Sequence, residues 1–110
     1  MATTYKVLGQ SAPTAATLST LYTVPSATQT VVSTINVVNT HASTADTIRI
    51  AIRKGGAIIS NEQYIIYGLS LNAGATFSYT GGVTVDATDV ISVYSQNGTS
   101  SFNAFGSEIA

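Results

Sequence analysis

Between Thr47 and Arg53 the chain alternates side chains of two kinds, with Ile48, Ile50 and Ile52 on one side and Thr47, Arg49, Ala51 and Arg53 on the other. A helix would turn Ile50 away from Ile48 and Ile52, whereas a strand puts all three on one face. The segment therefore reads as a half-buried strand. No window of the chain holds a competing helical period. Composition extends the argument: Thr and Ser together number 30, and only 8% of residues are charged, against about 25% in an average soluble domain. β-branched Thr in place of Lys and Glu favours pleated surface over helix.

Further strands follow from the same reasoning. Leu21 to Val24 stops at Pro25, and Thr30 to Asn39 is apolar on both faces, as in a central strand. Asn39 to Asp46 is a loop by composition, and Lys54-Gly55-Gly56 is a turn. Ala57 to Ile59 and Tyr64 to Tyr67 read as strands around a break at Ser60 to Gln63, with Leu69 and Leu71 continuing the apolar pattern. Thr76 to Thr80, Val83 to Val85, Val90 to Ser95 and Ser100 to Phe105 complete the set. Asn97-Gly98 before the last strand suits a type I′ hairpin, because both central residues need positive φ. Seven to nine short strands with regular turn signals predict an all-β chain, an antiparallel β-sandwich of immunoglobulin-like or jelly-roll type.

The length of 110 residues fits one domain. Residues 1–19 carry little apolar weight beyond Tyr5, Val7 and Leu8, and Gly9 and Pro13 interrupt them, so they read as an extended N-terminal arm before a sandwich of residues 20–110. The competing reading makes Tyr5 to Gly9 the first strand. Apolar runs are far shorter than the ~18 residues a spanning helix needs, and the start of the chain lacks the apolar core of an export signal. No membrane association and no export are expected.

The chemistry of the side chains excludes more than it nominates. There is no cysteine, so no disulfide framework or thiolate metal site exists. His41 is the single histidine and reads as a loop residue. Asp86 and Asp89 could serve as calcium ligands, but they suit a turn better, since a hard cation wants six or more oxygens. Gly55-Gly56 and Gly81-Gly82 lack phosphate-loop spacing, and Asn97-Gly98-Thr99 reads as a turn although it is formally a glycosylation sequon. No catalytic group, cofactor or metal site is expected, and the chain reads as non-enzymatic. Four basic residues are too few for nucleic acid. Arg49 and Arg53 project from one strand face roughly 13 Å apart, and with Lys54 they suit a protein surface. With Tyr5, Val7 and Leu8 they are the candidate partner-binding residues. Six tyrosines raise a glycan-binding alternative, though the absence of tryptophan makes the stacking platform thin.

Several stretches together carry a family likeness. These are Tyr5-Lys6-Val7-Leu8-Gly9-Gln10-Ser11, Leu21-Tyr22-Thr23-Val24-Pro25, Thr47-Ile48-Arg49-Ile50-Ala51-Ile52-Arg53, Asp89-Val90-Ile91-Ser92-Val93-Tyr94 and the ending Phe105-Gly106-Ser107-Glu108-Ile109. In them the chain resembles small virion structural proteins of tailed phages, especially those of cyanobacterial and marine bacterial hosts. The resemblance implies a particle component, in the first place a capsid decoration or cement protein. Such a protein binds and stabilises the phage major capsid protein lattice, associates there with other copies of itself, and lies on the capsid surface after synthesis in the host bacterial cytoplasm. A tail, baseplate or neck accessory protein is the alternative within the class. The resemblance transfers no defined binding residues.

Overall fold

The computed structural model describes residues 2–110. Nine strands make up the domain: β1 (Thr3–Ser11), β2 (Ser19–Thr23), β3 (Gln29–Asn39), β4 (Asp46–Arg53), β5 (Tyr64–Leu71), β6 (Thr76–Tyr79), β7 (Val83–Val85), β8 (Val90–Ser95) and β9 (Ser100–Ile109). Only two single-turn 3₁₀ segments, Lys54–Gly56 and Asn61–Gln63, interrupt them. One sheet has the order β1-β9-β3-β6, with β7 also paired to β3, and the other has the order β2-β8-β4-β5. Every pairing is antiparallel.

The order resolves the choice between sandwich types. β1 pairs with β9, β2 with β8, β3 with β6 and β7, and β4 with β5. That is one long hairpin with its tip at β4–β5, rolled so that successive pairs fall in opposite sheets, which is the jelly-roll arrangement and not the immunoglobulin one. The core lies between the sheets, where Ile35, Val37, Ile48, Ile50, Ile91, Val93, Phe102 and Ala104 are fully buried. The alternation in β4 holds for Ile48 and Ile50, while Ile52 at the strand end is only partly buried. β3 is central, as its two apolar faces predict, lying between β9 and the β6–β7 pair.

Bulges break the two-residue period at several points. In β3 the register with β9 shifts between Val32 and Thr34, so Val32 and Ile35 both point inward despite their odd spacing. In β1 the shift lies between Val7 and Gly9. The extra residue, Leu8, turns into the core, and Gly9 approaches β2 so closely that a Cβ there would lie 2.0 Å from the Leu21 carbonyl oxygen. Only glycine lets the backbones pass at that distance. Gly9→Ala is expected to cost about 2 kcal/mol, since β1 as an edge strand must shift to relieve the contact. Urea denaturation measures this, and an unchanged midpoint would show that β1 moves freely.

Three expectations are corrected. The arm expected over residues 1–19 is, from residue 2 onward, not outside the sandwich: the stretch is extended, but Thr3–Ser11 is hydrogen-bonded along β9 from Thr3↔Ile109 to Ser11↔Phe102. A ladder with β9 satisfies the backbone groups that a free arm would leave to solvent. The domain therefore begins at β1, and residues 12–18 cross from one sheet to the other. Asn97-Gly98 does not form a type I′ hairpin, because β8 and β9 lie in different sheets and only Gly98 has positive φ (70°). The turn signal was local, whereas the destination of the chain was set by rolling of the sheet. Ala57 to Ile59 is not a strand, and Ile58 is 88% exposed. The neighbouring Ser60–Gln63 turn closes itself with a capping box instead.

Candidate protein-binding surfaces

Of the predicted partner-binding residues, Tyr5 and Val7 lie on the outer face of one sheet and Arg49 on that of the other, whereas Leu8, Arg53 and Lys54 lie elsewhere or are otherwise engaged. Tyr5 and Val7 pair across β9 with Ser107 and Phe105, and with Val31 of β3 they line the outer face of the first sheet. Tyr5 is 84% exposed, Val7 49% and Val31 40%. A groove of about 470 Å³ runs among Tyr5, Val31 and Phe105. Exposed apolar groups clustered in this way on a sheet face signal a contact surface more strongly than scattered ones do. Leu8 is not part of it, since the bulge sends this side chain into the core.

The basic group separates as well. Arg53 donates from Nε to the Ala57 carbonyl (2.7 Å) and from Nη2 to the Gly56 carbonyl (2.9 Å), and reaches Ser92 Oγ at 3.5 Å. Its fork is therefore occupied in holding the 54–57 turn against the sheet. Lys54 is exposed and lines a groove of about 580 Å³ together with Asp86 and Asp89. Arg49 stands alone on the outer face of the second sheet, opposite Tyr67 of β5 and Tyr94 of β8. Its guanidinium carbon lies 4.4 Å from the Tyr67 ring centre and 4.3 Å from that of Tyr94. Such stacking on ring faces is a favourable cation–π arrangement.

Two bulges in the β4–β5 pairing build this stack. The register shifts between Ile48 and Arg49 and between Ile50 and Ala51, leaving Gly68 (φ 75°) and Ile65 as the extra residues in β5. Tyr64 and Tyr67, three apart, would face opposite ways in a regular strand. With Ile65 bulged they meet edge-to-face, ring centres 4.8 Å apart at 80°. The tyrosines were visible in the sequence as a glycan-binding cue, but their gathering around Arg49 was not. Only Gly68 within an otherwise apolar strand hinted at a bulge.

Asp86, Asp89 and His41, the polar side chains weighed as possible ligands, are engaged in the fold. Asp89 accepts from the backbone N–H of Gly55 (2.7 Å) and of Asp86 (2.9 Å), and Asp86 accepts from Ala87 N–H (2.8 Å) and Gln29 Nε2 (3.1 Å), as the turn reading expects. His41 Nδ1 accepts from the N–H groups of Ser43 (3.1 Å) and Thr44 (3.0 Å), which ties its loop together. No group of three or more metal-ligating residues gathers among the described residues, nor is any helix among them long and apolar enough to cross a membrane. At one end of the sandwich Tyr22 of β2 bridges the sheets. Its hydroxyl donates to Glu108 (2.5 Å) and is paired with Thr30 (2.8 Å), while Lys6 donates to Glu108 at 2.8 Å. Burial first, and the Glu108 bond second, push the Tyr22 phenol up to about 12. A raised folded pKa means that this contribution to stability is full below the unfolded value of about 10 and is lost as pH rises toward 12.

Fold and surfaces together define a jelly-roll sandwich with two distinct outer faces, one carrying an exposed apolar strip and one built around a stacked arginine. No known protein family and no curated protein matches the chain.

Proposed function

We propose that this protein is a non-enzymatic structural component of a tailed-phage particle, a capsid decoration protein that binds the major capsid protein lattice. The observation that carries the reading is the exposed apolar strip of Tyr5, Val7 and Val31 on the outer face of the β1-β9-β3 sheet. It lies on a chain that resembles small phage virion proteins. A sheet face of this kind suits a flat, repeated protein surface, where each copy binds modestly and many copies act together. Jelly rolls serve as capsid domains, lectins and cupins alike, so the fold is compatible with this role without selecting it.

Quantitative mass spectrometry of purified particles tests the proposal. A capsid lattice role predicts copies in the hundreds, whereas about six or twelve would indicate a tail, baseplate or neck position set by ring symmetry. Absence from the particle would refute both. Tyr5→Ser changes a side chain that is 84% exposed, so it should leave the melting temperature nearly unchanged and lower occupancy on the particle.

A further inference from the structure

The outer face of the β2-β8-β4-β5 sheet holds a charge without a counter-charge. Arg49 is clamped between Tyr67 and Tyr94, and its Nε is buried with no acceptor. Tyr94 is itself fixed by donating its hydroxyl to Gln96 Oε1 at 2.7 Å. The one ion pair among the described residues is Lys6 with Glu108. All five acidic residues of the chain have partners elsewhere: Asp46 with Ser95 and Ser100, Glu62 with Ser60, Asp86 with Ala87 and Gln29, Asp89 with Gly55, and Glu108 with Lys6 and Tyr22. The stack is ordinary cross-strand packing, but packing alone does not call for a full positive charge at the middle of a sheet.

We propose that Arg49, held between Tyr67 and Tyr94 with Tyr64 at the edge, is a docking hot spot for a protein partner that presents an aspartate or glutamate side chain from an exposed segment. The rings flank the guanidinium from β5 and β8, and although Nε is enclosed, the two terminal Nη groups are neither buried nor bonded within the fold and stay available to a ligand. That fork matches a carboxylate with two parallel bonds. Because the side chain is already immobilised, binding loses little further rotamer entropy. Tyrosine and arginine are the residue types in which interface energy concentrates. Tyr67, 63% exposed, offers ring surface for the partner to cover, and a groove of about 420 Å³ beside Asn61, Tyr64 and Tyr67 has room for the flanking segment. Phosphate chains fit poorly, since Arg53 is spent on the 54–57 turn and no row of cations exists. The inference takes from the proposed function only that the partner is a protein.

The test is an NMR titration of the whole chain with a glutamate decapeptide, following the Arg49 Nε–H and Tyr67 ring signals, with inorganic phosphate and glucuronate as separate arms. The peptide should shift both signals saturably. Arg49→Lys, which keeps the charge but loses the fork, should weaken binding about tenfold, whereas Lys54→Ala, which removes a charge elsewhere, should change it less than about twofold. Tyr67→Leu is a second variant, at an exposed side chain, and should weaken binding several-fold. The proposal is overturned by absence of a saturable shift, by full binding in Arg49→Lys, or by equal loss in Lys54→Ala. It is also overturned if phosphate or glucuronate produces the same response, marking a general anion or sugar-acid site. A chain that binds the peptide but is missing from particles sinks the particle reading alone. One found on particles that ignores the peptide sinks this inference alone.

Discussion

Asp46→Ala is expected to destabilise the protein by about 4 kcal/mol, a large part of the 5–15 kcal/mol available to a domain of this size. Asp46 opens β4 and is 1% exposed. Its carboxylate accepts from Ser100 Oγ at 2.5 Å, from Ser95 Oγ, and from the backbone N–H of Asn97 at 2.9 Å. It thus ties the start of β4 to the crossing from β8 to β9, where the chain changes sheets. Alanine leaves the two buried serine hydroxyls without this acceptor, and each orphaned group costs about 1–3 kcal/mol. Burial pushes the carboxyl pKa up, but the bonds from Ser100, Ser95, Asn97 and Thr47 outweigh it and hold the pKa below its ordinary value. A lowered folded pKa means that the charge contributes fully above the unfolded value of about 4 and is lost as pH falls through the folded one. Chemical denaturation at pH 7 and at about pH 3 measures both effects. The gap between wild type and Asp46→Ala should be wide at the first and narrower at the second, and a gap that did not change with pH would show that the charge plays no part.

Deleting residues 2–11 is expected to do more, abolishing cooperative unfolding at 25 °C or lowering Tm by about 20 °C or more. The deletion removes the β1 ladder with β9, the Lys6–Glu108 ion pair, and the reciprocal backbone bonds between Ala2 and Ala110 of 2.8 and 2.9 Å. It also removes Leu8 from the core, and losing a buried leucine alone costs about 2–5 kcal/mol. β9 would then become a long open edge beside Phe102 and Ala104, a template for aggregation. Calorimetry of the truncated chain gives the answer. A retained melting temperature would mean that β1 is dispensable and works as a tether after all.

The misread of residues 1–19 shows where sequence reasoning ran out. Tyr5, Val7 and Leu8 are too few and too closely followed by Gly9 to look like a core strand. What binds this edge strand into the sandwich is a bulge that turns Leu8 alone into the core and a close pass of Gly9 over Leu21. Neither has a local signature, because the bulge is set by pairing with β9 and the close pass by where β2 lies. The same holds for the second face. Arg49 and Arg53 were readable as neighbours on one strand face, but their different fates were not. Arg53 folds onto the carbonyl groups of Gly56 and Ala57, while Arg49 finds two rings contributed by strands that the register alone brings beside it.

What the sequence determined by itself was the all-β class, the inward face of Ile48 and Ile50 and the central place of β3, since side-chain alternation is a property of each strand alone. Tertiary structure decided the jelly-roll order, the crossing at Asn97-Gly98, the docking of β1 and the gathering of Tyr64, Tyr67 and Tyr94 around Arg49. These depend on cross-strand register. A single extra residue in one strand sends every later side chain to the other face, and whether that residue is bulged is settled by the partner strand and not by its own sequence.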